Sequence, residues 1–163
     1  MSDRARAAMT ADETMELLAS ARKTHLATIN RDGTPHVVTM FYALRSEAGG
    51  ERITFWTYRA SQKARNLARD PRLTCLVEDG EDYFSLRGVQ VNGIAHLIED
   101  PAGVAAVGRL VAEGPLGVAG DVVDGYIEHA ARKRVAYVVE PLRVISWDHR
   151  KLGGRAGPWP TLP

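Results

Sequence analysis

The sequence predicts a mainly β domain with flanking helices (α+β), a small barrel of six or seven largely antiparallel strands. Three observations carry this. β-branched and aromatic runs recur at short spacing between turn residues, and they follow one another mostly in hairpin order. Gly88 and Gly93 interrupt the long run "SLRGVQVNGIAHLIE", as bends or bulges do where a sheet curls. The 163 residues fit a single domain, placed at 1–150, with a Gly- and Pro-rich irregular tail at 151–163.

In chain order, Thr10 and Glu13 have capping-box spacing, and Met15, Leu17, Leu18 and Ala21 recur on one face, so a helix is expected from about 11 to 21. "HLATIN" and "HVVTMFYAL" form an antiparallel pair around Asp32-Gly33, where glycine supplies the positive φ of a tight turn. "EAGGERITFWTY" adds a strand after Gly-Gly. A helix then follows with Ala64, Leu67 and Ala68 inward, and Asp70-Pro71 stops it. "RLTCLVE" and "SLRGVQVNGIAHLIE" are the next strands. Asp100 caps a helix with Pro101 at its first position, running to about 113, and a weaker helix spans about 121 to 133. "RVAYVVE" and "LRVISWD" close the domain as two strands separated by Pro141.

Charge narrows the function. Twenty-one Lys and Arg stand against twenty Asp and Glu, a net +1, so no nucleic-acid partner is expected. Acidic residues interrupt the first twenty positions where a signal peptide needs an apolar core, and no run is long enough to span a membrane. A cytoplasmic protein without a membrane partner is expected. His25, His36, His96, His129 and His149 lack metal-ligand spacing, and the single Cys75 reads as a buried hydrophobe, so no metal is expected.

The stretch "TYRASQKARNLARDPRL" is the exception to this even balance. Arg59 lies in a strand-to-helix connection, and Ser61, Gln62 and Lys63 open the helix. Unpaired N–H groups and the positive end of the helix dipole favour an anion there. Two cations and a hydroxyl converging at that point suit a phosphate. Arg65, Arg69 and Arg72 read as the solvated helix face and its exit.

The segments "DGTPHVVTMFYAL", "ITFWTYRASQKARNLARDPRLTCLVEDG", "GVQVNGIAHLIED" and "SWD" together resemble the pyridoxamine 5′-phosphate oxidase-like split β-barrel superfamily. The likeness runs from about Met9 to Asp148 and is especially close to the actinobacterial deazaflavin oxidoreductases that use coenzyme F-420. It implies a homodimeric split barrel with two cofactor sites between the subunits. The cofactor phosphate would be held by Arg59, Ser61, Gln62 and Lys63. The ring would lie along Thr39, Met40 and Phe41 with Trp56 and Thr57, close to Trp147. Two departures, Gly88 where the oxidases carry a cofactor-binding glutamine and a tail without their arginine motif, argue against vitamin B6 oxidation.

The expected reaction is hydride transfer from coenzyme F-420 to a planar conjugated acceptor such as a quinone or enone. An FMN enzyme of the same fold is the alternative, and so is a carrier of a flavin, F-420 or tetrapyrrole. No catalytic residue is assigned. His36, Tyr42 and Tyr58 are candidate proton donors, and Arg65 and Arg69 are candidate contacts for the polyglutamate tail of F-420.

Overall fold

The computed structural model describes residues 3–153. Its strands are β1 (Lys23–Ile29), β2 (Pro35–Phe41), β3 (Ala43–Glu47), β4 (Gly50–Tyr58), β5 (Arg72–Asp79), β6 (Arg87–Ile98) and β7 (Arg134–Asp148). Its helices are α1 (Asp3–Ala7), α2 (Ala11–Ser20), α3 (Gln62–Arg69), α4 (Pro101–Glu113) and α5 (Asp121–Ala131), followed by a 3-10 turn at His149–Leu152. The seven strands form one sheet in the order β2-β1-β5-β6-β7-β4-β3, with every pairing antiparallel. The α1 helix carries no signal in the sequence pattern.

The run "HVVTMFYAL" is two strands and not one, because Tyr42 breaks it. β2 and β3 occupy opposite edges of the sheet, yet only Tyr42 separates them in the chain. The two edges must therefore meet at that corner, and the sheet curls into a barrel that stays open away from it. Tyr42 fills the corner with its ring buried, and its hydroxyl donates to the Leu18 carbonyl at 2.5 Å. The β1–β2 turn follows its sequence: Gly33 has φ +85, and the Asp32 carboxylate accepts from the Thr34 amide at 3.0 Å.

Pro141 does not divide the last strand, since β7 runs unbroken through it. Asn92 pairs with Arg143 but Gly93 pairs with Pro141, so Leu142 is the extra residue of a bulge. A bulge is where a strand tolerates a residue without an N–H. A Cβ on Gly93 would come within 2.4 Å of the Glu140 carbonyl oxygen, so only glycine fits opposite.

Two cores result. Inside the barrel Leu26, Phe55, Cys75, Val77, Val89 and Val139 are buried, Phe55 stacks on Tyr137 at 5.3 Å, and α2 plugs one end with Leu17 and Leu18. Outside, Val104, Val107 and Val111 of α4 and Ile127 of α5 pack over Ala136 and Trp56. Arg109 ties those two helices together, 2.7 Å from Asp124 and 3.1 Å from Glu128. The 3-10 turn is tied to the N-terminal helices, as Lys151 donates to the Ala8 carbonyl at 3.0 Å and pairs with Glu13. Among the described residues no helix is long and apolar enough to cross a membrane.

Cys75 is fully enclosed in the barrel, and burial pushes its thiol up to about 12. Thiolate is the reactive form, so a thiol reagent should modify the native protein no faster than it unfolds. Labelling that is complete within seconds, followed by mass spectrometry in native buffer, would contradict this packing.

Candidate functional site

The connection from β4 to α3 is rigid. The Arg59 amide donates to the Lys133 carbonyl at 3.0 Å, and the Ser61 amide donates to the Tyr58 carbonyl at 2.9 Å. Ser61 is the N-cap, extended at φ −71 and ψ 156, and its hydroxyl accepts from the Ala64 amide at 3.3 Å and contacts the Thr57 hydroxyl at 3.2 Å. The Gln62 and Lys63 amides have no backbone acceptor among the described residues, so the helix mouth presents two open donors.

The cations around this mouth differ in their engagement. Lys63 is half-buried without an ion-pair partner among the described residues, and burial lowers its pKa. Arg59 reaches sideways to Glu99, at 2.9 Å on the exposed surface. Arg65 is exposed, as expected of the helix face, and its guanidinium folds back to the Ala60 carbonyl at 2.7 Å, which brings it to the same connection. Arg69 donates to the Ile29 carbonyl. Arg72 grips Asp70 at 2.7 Å and holds that carboxyl down at about 2.

Asn66, which belongs to no motif in the sequence, fixes this helix. It is fully buried, donating to the Thr28 hydroxyl at 3.1 Å and to the Asn30 side chain at 3.0 Å, and accepting from Gln62 at 2.9 Å. An amide side chain on the inward face of an otherwise basic helix is the one signal its composition offers.

The expected ring-binding residues line the barrel's open seam. β2 pairs with β1 on one side only, and β4 pairs with β3 no farther than Thr54. Among the described residues both strands therefore carry free backbone edges, β2 along its length and β4 from Phe55 to Tyr58, diverging from the Tyr42 corner. Thr39 and Phe41 face outward while Met40 packs against the barrel core. Thr57 is buried. Trp56 packs outward beside α4, where a Cβ on Gly108 would lie 2.8 Å from its ring, and the Arg134 guanidinium sits 4.3 Å over it. The same guanidinium lies 4.4 Å over the Tyr58 ring.

Trp147 lies elsewhere. It pairs with Gly88, and its indole fills the space a side chain there would need, 2.4 Å from the position of a Cβ. Thr57 pairs with Val135 at the opposite end of β7, roughly 35 Å along the strand. One chain does not bring Trp147 to the α3 mouth. Among the candidate proton donors, Tyr42 is sealed in the corner, where burial raises its hydroxyl pKa. Tyr58 is 56% exposed, and His36 is half-buried on β2.

Replacing Asn66 with alanine takes from the buried Thr28 hydroxyl its amide donor and leaves a void behind α3, while Asn30 and Gln62 keep each other as partners. The expected cost is about 2–3 kcal/mol, read from urea unfolding. Gly88→Ala should expel the Trp147 indole and alter tryptophan fluorescence, at a cost of about 1–3 kcal/mol.

The sequence matches the pyridoxamine 5′-phosphate oxidase family over residues 10–148. A conserved hypothetical protein from Mycobacterium tuberculosis superposes with a TM-score of 0.83 at 40% identity, covering 94% of each chain. An F-420 reductase superposes with a TM-score of 0.62 at 26% identity, covering 79% of this chain and 93% of its own. An FAD-binding protein from Mesorhizobium loti shares the fold, with a TM-score of 0.61 at 20% identity over 85% of this chain and 93% of its own. No curated protein sequence matches. With the match spanning nearly all of the barrel, the chain belongs to the pyridoxamine 5′-phosphate oxidase family, with the split-barrel fold.

Proposed function

We propose that the protein is an oxidoreductase that holds coenzyme F-420 at the α3 mouth and along the seam, and reduces a planar conjugated acceptor such as a quinone or enone. The observation that carries the proposal is the helix mouth itself: two open amides, a half-buried lysine without a counter-ion among the described residues, and Arg65 folded onto the same connection. An anionic group there would satisfy all of them at once. FMN would satisfy the amides and Lys63 equally. The proximity of Arg65 favours F-420, whose phosphodiester leads to an acidic tail.

When bound, the deazaflavin supplies hydride chemistry. The protein's task is to hold and orient. The unpaired amides and carbonyls of β2 and β4 would supply partners to a ring's polar edge, and the exposed Phe41 would give it an apolar face. Trp147 is remote from the β4 side of the seam within one chain and would approach that ring from a second copy, so the working form we propose is a homodimer with two cofactor sites at the interface. The apolar side chains exposed on the outer face of β2, Val37 at 59% and Phe41 at 41%, suit such a contact. We place the protein in the cytoplasm, where a reduced cofactor pool is at hand.

Titration with F-420 and FMN, followed by turnover with naphthoquinone and enone acceptors, tests this reading. Tight FMN binding without F-420 binding would replace the cofactor, and cofactor binding without turnover would make the protein a carrier. Lys63→Ala should weaken cofactor binding about 10- to 100-fold, the worth of a charged hydrogen bond. Because burial lowers the free Lys63 pKa and an anion raises it again, affinity should fall as pH rises past the lowered value. Calorimetry at alkaline pH in two buffers should register proton uptake on binding.

A further inference from the structure

Beside the β2 lip of the seam lies a cleft of about 480 Å³, bounded by Arg22, Lys23, His25, Thr39, Glu78 and Asp79 together with the end of α2. Three of these residues stand in a row across the outer face of β2, β1 and β5. The Thr39 hydroxyl is 3.3 Å from His25 Nδ1, and His25 Nε2 is 3.7 Å from a Glu78 carboxylate oxygen. His25 is 44% exposed and Glu78 43%, so solvent reaches both.

We propose that Thr39, His25 and Glu78 form a proton relay serving a carbonyl acceptor bound in this cleft. The proposal rests on the oxidoreductase reading and supplies the proton donor that reading lacks. Tyr42 cannot fill that role, since its hydroxyl is sealed against Leu18. Thr39 stands on the strand expected to flank the ring, and its side chain faces outward.

A reduced deazaflavin, when bound, would supply an acceptor carbon with a hydride and its two electrons, and negative charge would gather on the conjugated acceptor oxygen. The Thr39 O–H bond breaks as its proton moves to that oxygen, and Thr39 takes the Nδ1 proton of the doubly protonated His25. The imidazole that remains keeps its Nε2 proton toward Glu78 and regains the other from water, and the proton released on oxidation of the deazaflavin would pass to solvent. Glu78 faces the Nε2 side of the ring and orients it, as a carboxylate does in other relays. The remaining charges at the cleft, Arg22 and Lys23 against Asp79, come from the start of β1 and the end of β5, and α2 adds none.

Two measurements on the full chain test the relay. In nitrogen-15 spectra of the ligand-free protein, the His25 ring signals are identified by their loss in His25→Gln. The Nδ1 signal should move in Thr39→Val and the Nε2 signal in Glu78→Gln. Ring signals unmoved in both variants overturn the relay whatever the protein's activity. In turnover of reduced F-420 with a naphthoquinone, His25→Ala should lose at least tenfold in kcat with cofactor binding unchanged, should lose the wild-type fall of kcat with rising pH, and should be partly rescued by added imidazole. Equal kcat in wild type and His25→Ala overturns the relay alone. A wild-type protein that binds no cofactor overturns the oxidoreductase reading, and with it the task assigned to the relay.

Discussion

Everything at the α3 mouth depends on one buried amide. Asn66 has no exposure, and each of its polar atoms has a partner on β1, in the turn that follows it or on its own helix. An unsatisfied amide at that depth would cost more than a hydrogen bond returns, so few other placements of α3 meet the same requirement. The contact fixes both the height and the rotation of a helix of only 8 residues. Propensity alone would leave so short a helix marginal. The open amides of Gln62 and Lys63 therefore hold their position through a residue buried behind them.

The barrel is shaped by an equally local constraint. Only Tyr42 lies between the two edge strands, so closure at that corner is a matter of chain connectivity before it is one of packing. Away from the corner β2 and β4 separate, leaving backbone groups along a seam without partners among the described residues. Unpaired edges are usually a hazard that proteins cover. Here they coincide with the stretch where the ring is proposed to lie, which gives the uncovered backbone a purpose.

Much of this is legible in the sequence, and the reasons differ by element. Capping chemistry places α2 and α4 closely, because Thr10 and Asp100 each bond an amide of the first turn, whereas α3 is read from its spacing and the Asp70-Pro71 stop and begins one residue later, with Ser61 as its cap. The break at Tyr42 is hidden because a β-branched and aromatic run looks the same whether or not it changes edges. Pro141 misleads in the opposite sense: its missing N–H argues for an interruption, and a bulge absorbs it. At the site, the N-terminus of α3 can be read from local order alone. Glu99 and Asn30 are remote from it in sequence, so their pairings with Arg59 and Asn66 leave no local signal. The distance from Trp147 to the helix mouth is invisible for the same reason, since a strand's length says nothing about which neighbour borders each half.

That last strand also governs the order in which the molecule can be completed. β7 separates β6 from β4 in the sheet, yet it is the last of the described strands in the chain. During synthesis the β1, β2, β5 and β6 ribbon and the β3–β4 hairpin can each assemble early, while the inner face bearing Phe55 waits for residues 134–148 to leave the ribosome. Such distant pairing slows folding and leaves apolar surface open to wrong partners in the interval. A nascent chain stalled before Arg134 would thus be a natural client for a chaperone.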